Sequence, residues 1–352
     1  MNARQISMLS PNFRFDNPKS KIETPKLLWL LVLAFVLMIA GVVPMADAQQ
    51  AKRVPRIGYL AAVSPAADAP RKEAFRQALR DFGYIEGQNI FIEYRHEDRN
   101  FDRLPQLAAE LVRLKIDVFV TVTTNAAQAA RSVSKTIPHV FMGVTDPVTA
   151  GLVDSLPRPG GNSTGITNMA AILSGKRLEL LKEIIPKLSR VAVLWDPHAP
   201  GSAPQWEDSQ VPARELGLQL HSMQVSSADK YEEAFKEAAK ANSGALAVTL
   251  NPLANSNQKR IADLAMRYRW VSICARADYA DNGNLMAYGP GYSIEGFDGA
   301  RYLARILKGA KPADIPVEQP TKFEMVINLK TAKQIGVRIP PNVLARADRV
   351  IR

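Results

Sequence analysis

A single cysteine in 352 residues rules out a disulfide framework within the chain and a zinc site built on thiolates. It is Cys274, in "WVSICAR", a stretch with the composition of a strand. Histidine is almost as scarce. His96, His139, His198 and His221 are far apart, none has another histidine four residues away, and no Gly-x-x-x-x-Gly-Lys-Ser/Thr phosphate loop occurs. No nucleophile with its base is legible. Asp146 and Asp196 could form an acid/base pair, but nothing visible would orient either, so catalysis is the least supported class. No cofactor is called for. Runs of one charge are missing too: the net charge of +11 is spread over helix faces such as "RKEAFRQALRDFG" and "KRLELLKEIIPKL". That is solvated surface rather than a nucleic-acid footprint.

One long apolar run is present. Leu27 to Val43, "LLWLLVLAFVLMIAGVV", is uncharged, follows Lys26 and is followed by "MADAQQ" with Ala46 and Ala48 in a small-x-small arrangement. Residues 1–48 read as an n-region and export signal cleaved after Ala48. No cysteine follows to carry a lipid anchor, so the expected product lies in the periplasm. In the alternative, the seventeen apolar residues stay as a membrane anchor. With 47% hydrophobic and 22% charged residues, the remainder has the composition for two sizeable cores.

From Arg56 onward short apolar runs alternate with helix-spaced segments. "RIGYLA", "NIFIEYR", "DVFVTV" and "PHVFMGV" read as strands. "RKEAFRQALRDFG" carries Phe75, Ala78, Leu79 and Phe82 at helical spacing and stops at Gly83. Parallel strands need helical crossovers, and burial on both faces makes them continuous apolar runs, so the pattern predicts an α/β fold with parallel sheets. After "RPGGNSTGIT" (Arg158–Thr167) the series restarts, with "DVFVTVTTNAAQAA" echoed by "GALAVTLNPLANSNQ". Two Rossmann-like lobes are expected: 54–166 plus 288–320, and 167–287 plus 321–352.

Ligands of open α/β sheets bind beyond the carboxyl ends of the strands. Those ends are Ser64; Thr123, Thr124, Asn125 and Ala126; Thr145 and Asp146; Trp195 and Asp196; Asn251 and Asn255; and the stretch around Tyr279. The polar group Thr123–Asn125 sits where a strand ends and a helix begins. The first N–H groups of a helix lack intrahelical partners and carry partial positive charge, so Thr124 or Asn125 is expected to cap a helix starting at Ala126 while Thr123 and the free amides hold a carboxylate. Trp195, Tyr279 and Tyr288 are candidates for a stacking wall.

The long segments "FRQALRDFGYIEGQNIFIEYR", "VTDPVTAGLVDSLPRPGGNSTGIT", "KRLELLKEIIP" and "ARILKGAKPADIPVEQPTKFEMVINLKTAKQIGVRIPPNVLARADRVI" resemble the ABC-transporter substrate-binding proteins of the tryptophan/tyrosine-type family. The resemblance implies the type 1 periplasmic-binding-protein architecture, with three crossovers and hinge closure over a small-molecule solute. It also implies delivery to a transporter permease with its separate ATPase. The chain is expected to be a monomer, and the scattered charge leaves no nucleic-acid partner. The resemblance implies further that the loop matching Thr123–Ala126 holds a ligand carboxylate, with Ser64 and Asp146 close by and Asn251 and Asn255 facing them. Where family members carry an acid for the ligand ammonium, "GPGY" (Gly289–Tyr292) has none, which argues against an α-amino acid. The runner-up function is a tethered ligand-sensing domain of this fold, and the third is an enzyme.

Overall fold

The computed structural model describes residues 53–97 and 100–352, without the side chains of 292–294. The apolar run Leu27–Val43 and the cleavage site lie outside the described residues. Among the described residues no helix is long and apolar enough to cross a membrane. Val54–Arg352 form one compact unit, built on two sheets.

The first sheet has the order β2-β1-β3-β4-β5, from β1 (Arg56–Ala61), β2 (Phe91–His96), β3 (Val118–Val122), β4 (His139–Val144) and β5 (Ser163–Thr167), all parallel. β3, β4 and β5 are buried at every position, which is why their sequences are unbroken by exposed polar residues. α1 (Pro65–Asp81) opens on the Ser64 cap, whose Oγ accepts from the Ala67 amide at 3.2 Å, with Pro65 at its first position. α2 (Leu104–Arg113) and α3 (Thr124–Val133) cover the other face.

The second sheet has seven strands in the order β12-β11-β10-β9-β8-β6-β7: β6 (Arg190–Trp195), β7 (Gln219–Gln224), β8 (Ala245–Val248), β9 (Val271–Cys274), β10 (Met286–Gly289), β11 (Glu324–Asn328) and β12 (Arg349–Ile351). It is parallel except for β10 against β11. Its helices are α4 (Ser174–Ile184), α5 (Ala203–Glu215), α6 (Tyr231–Lys240), α7 (Pro252–Ser256), α8 (Gln258–Arg267), α9 (Ala277–Asp281), α11 (Leu329–Ile335) and α12 (Pro341–Leu344). Between β10 and β11 the chain returns to the first lobe as α10 (Tyr292–Leu307), which packs on α1 and the first sheet. Gly296 is required there, because a Cβ would lie 2.3 Å from the Arg71 carbonyl oxygen. Separate apolar clusters fill both faces of each sheet.

A cluster of polar side chains lies inside the first lobe around His139. His139 bonds Thr121 Oγ1 through Nε2 at 2.8 Å and Ser163 Oγ through Nδ1 at 3.1 Å. Ser163 sits in "GNSTG", which has the Gly-x-Ser-x-Gly spacing of a nucleophile elbow, so a serine–histidine pair does form although none was legible beforehand. Ser163 lies within a strand rather than at a strand-to-helix turn, and both residues are at most 2% exposed. No substrate reaches it. Burial holds the His139 pKa down at about 3, so the native imidazole is neutral while the unfolded chain takes up a proton below about pH 6.5. Stability from this group is therefore whole above pH 6.5 and declines as pH falls towards 3, by about 1.4 kcal/mol per pH unit. Denaturant titrations of wild type and His139→Gln between pH 7 and 4 check this: the variant's slope should be shallower by that amount.

Candidate functional site

The carboxyl ends of the two sheets face each other across a narrow cleft. Its inner cavity is lined on the first lobe by Arg71, Val122, Thr123, Thr124, Asn125, Gly143, Thr145, Pro290 and Glu295, with Asn168 at the crossover. Gly201, Leu250, Asn251, Pro252, Asn255, Ala275 and Arg276 face them from the second lobe.

Thr123 is the most constrained residue there. Its φ of 82° and ψ of 162° fall in a region that is essentially glycine's. It is held by its amide on the Met142 carbonyl and by its own carbonyl on the Ala127 amide, both at 3.1 Å. α3 starts at Thr124, two residues before the expected Ala126, with Thr123 as N-cap and no side-chain capping bond. Thr124 Oγ1 instead accepts from the Thr145 amide at 3.3 Å, which ties the ends of β3 and β4 together. The expected cap at Thr124 or Asn125 is thus absent. The leading amides of α3 stay without an intrahelical acceptor, and Thr123 Oγ1 is buried with no hydrogen-bond partner among the described residues. Donors left open at a helix N-terminus favour an anionic group.

Beside this stands a buried charge cluster. Arg71 on α1 donates to Asp68 Oδ1 at 2.6 Å, and its Nε and Nη2 reach Glu295 Oε2 on α10 at 2.9 and 2.7 Å. Asp68 Oδ2 takes the Tyr59 hydroxyl at 2.9 Å and lies 3.2 Å from His96 Nε2. Burial opposes charge on Asp68 and Arg71 alike. His96, Arg71 and Tyr59 outweigh it and lower the Asp68 pKa; Glu295 and Asp68 outweigh it and raise that of Arg71. The cluster sets two carboxylates around one guanidinium. Both Arg71 bonds fall on Glu295 Oε2, so Oε1 has no hydrogen-bond partner among the described residues. The acid missing from "GPGY" therefore arrives three residues beyond it, on the first turn of α10.

On the second lobe Asn251 Oδ1 caps α7 through the Ala254 amide at 2.8 Å. Asn255 Oδ1 accepts from the Tyr279 hydroxyl at 3.0 Å, which fixes which end of the amide meets the cavity. Arg276 Nε bonds Asp278 Oδ1 at 3.0 Å. Of the residues expected at the site, Thr123, Thr124, Asn125, Thr145, Asn251 and Asn255 line the inner cavity. Ala126 is buried one step along α3. Ser64 is occupied as the cap of α1, and Asp146 Oδ1 holds the Val148 and Thr149 amides of a turn, each at 3.0 Å. Trp195 stacks on Trp206 at 5.7 Å, Tyr279 is buried behind Asn255, and Tyr288 packs against Phe323. Asp196 lines a second, outer cavity. Among the described residues no aromatic ring lines the inner one.

The lobes are drawn together. A Cβ on Gly201 would lie 2.8 Å from Thr145 Oγ1 and 3.0 Å from Thr124 Oγ1, and the cavity volume is about 40 Å³. That is room for one or two waters, so a solute enters only when the lobes part.

Two parallel-sheet lobes meeting over a small polar cavity define a type 1 binding protein. Residues 56–351 match the family model described as ABC transporter substrate binding protein, and the chain belongs to that family. A curated relative, the "Tyrosine-binding protein" of Clostridioides difficile (strain R20291), is 28% identical over 267 residues, 76% of each chain. Among solved structures, a conserved domain protein from Vibrio cholerae is 28% identical with a TM-score of 0.81, covering 85% of this chain and 100% of that one. A domain from Streptococcus pneumoniae in complex with L-Trp is 25% identical with a TM-score of 0.79, covering 84% and 99%. A ligand-free, open substrate binding protein from Clostridium difficile, also 25% identical and covering 85% and 99%, gives 0.65. The better match to the liganded neighbour fits lobes that are drawn together.

Proposed function

We propose that this chain is an extracytoplasmic receptor that binds an α-amino acid between its lobes without reaction and hands it to an ABC transporter permease. The α-carboxylate takes the Thr123 hydroxyl and the leading amides of α3, and the α-ammonium takes Glu295 Oε1. The observation that carries this reading is the pairing of unpartnered donors at Thr123 with an acid whose second oxygen is open, in one cavity. Opposite charges so placed suit a zwitterion, and each charge-assisted bond is worth about 1.5–3 kcal/mol. The relatives named for tyrosine and L-Trp support the class of ligand.

Titration calorimetry with the twenty amino acids and their deaminated carboxylic acids tests it. At least one amino acid should bind, about tenfold or more tighter than its deaminated partner. Equal affinity for the two would remove Glu295 from the site, and no binding by any amino acid would overturn the reading.

A further inference from the structure

The inner cavity has no room for a large side chain, yet it is not the end of the cleft. At Asn125 and Pro252 it adjoins an outer cavity of about 490 Å³, whose lining also comes from both lobes. The outer walls mix polar groups with apolar ones such as Leu104 and Leu253. They include Ser132, Ser226, Asp102 and Asp196, and Phe101 is the one aromatic residue among those described there. Asp196 is 8% exposed. Its Oδ1 accepts from the His198 amide and Ser226 Oγ, each at 2.9 Å, while Oδ2 has no hydrogen-bond partner among the described residues. Among the described residues the basic group paired with it is His198 Nδ1, 3.8 Å from Oδ1 on a side chain 82% exposed. No lysine or arginine among the described residues pairs with Asp196. A carboxylate this shielded is normally paired with a cation or heavily hydrogen-bonded. Here Asp196 lines a ligand-sized cavity.

From these features we infer that the outer cavity is a subsite for an alkylammonium or guanidinium group, with Asp196 as its counter-charge. The inference rests on the amino-acid reading of the inner cavity for its fullest form: the head sits inside, and a basic side chain passes Asn125 and Pro252 into the outer cavity. The preferred solute is then a basic amino acid rather than an aromatic one, since among the described residues the inner cavity has no aromatic ring and the outer one has only Phe101 and the His198 imidazole, short of the wall that an indole or phenol would use.

Calorimetry of wild type and Asp196→Asn with L-arginine, its neutral isostere L-citrulline, L-lysine, L-tryptophan, agmatine and methylguanidinium decides the matter. The amide retains an acceptor for the His198 amide and Ser226. L-arginine is expected to bind about tenfold to a hundredfold tighter than L-citrulline, the difference a charged partner makes, and tighter than L-tryptophan. Asp196→Asn should bring L-arginine down to the L-citrulline level. Tighter binding of L-tryptophan than of L-arginine and L-lysine, or equal binding of L-arginine and L-citrulline by wild type, would overturn the subsite while leaving the amino-acid reading in place. A ratio unchanged by Asp196→Asn would overturn the role of Asp196. Binding of agmatine and methylguanidinium alone, lost in Asp196→Asn, would uphold the subsite and overturn the amino-acid reading. Silence from every probe would end both.

Discussion

Arg71→Met is expected to lower the unfolding free energy by about 3–5 kcal/mol at neutral pH, the range found when one member of a buried charged group is removed. The Arg71 side chain is 5% exposed, that of Asp68 0% and that of Glu295 6%, so neither stranded carboxylate gains water in exchange. The pH dependence separates this cause from lost packing. In the wild type the Asp68 pKa is lowered, so its contribution is present above the ordinary carboxylate range and is lost as pH falls through the depressed value. Without Arg71, Asp68 loses a cation that opposes its burial and favours protonation more. The deficit of the variant should therefore shrink between pH 7 and 4, whereas a packing defect would not depend on pH. Arg71→Lys should fall between, since it keeps the charge but not the forked reach to Glu295. Denaturant melts across that range measure it, and a loss under about 1 kcal/mol at pH 7 would show that water already screens the cluster.

This cluster marks where the sequence was readable and where it was not. Asp68 and Arg71 occupy the same helical stripe as Phe75, Ala78 and Leu79, all buried, whereas the charges of "RKEAFRQALRDFG", Arg71 among them, had read as solvated surface. Their partner was not visible, because Glu295 lies 224 residues from Arg71 and only the return of α10 to the first lobe brings them together. The alternation of strand and helix was legible because doubly buried parallel strands leave few other compositions. The polar turn at Thr123–Asn125 was legible as a strand end, but its geometry was not: nothing in "TVTTNAA" says that Thr123 takes a positive φ. The aromatic residues misled for a related reason. A strand's last residue can point to either face of the sheet, and Trp195 turns toward Trp206 rather than into the cleft.

Thr123 should show stability and binding moving in opposite directions. Its hydroxyl is buried without a partner among the described residues, and an unsatisfied buried polar group costs about 1–3 kcal/mol. Thr123→Val keeps the branched shape and removes the group, so the ligand-free protein should become more stable, by about 1 kcal/mol at least. Thr123→Gly also relieves a backbone conformation that costs a non-glycine residue about 1–3 kcal/mol. Against that stands about 0.5–1 kcal/mol for the added freedom of the unfolded chain, so it too should not be destabilised. Both variants lose the hydroxyl offered to the ligand carboxylate, and affinity should fall by about 1.5–3 kcal/mol, roughly tenfold to a hundredfold or slightly more. A residue that only closed the turn from β3 into α3 would behave the other way, with lower melting temperatures and intact affinity. Thermal melts of the ligand-free variants, paired with calorimetry using the amino acid that wild type binds most tightly, separate the two. If Thr123→Val is both less stable and equally avid, the hydroxyl serves the fold and the carboxylate must be held elsewhere in the cleft.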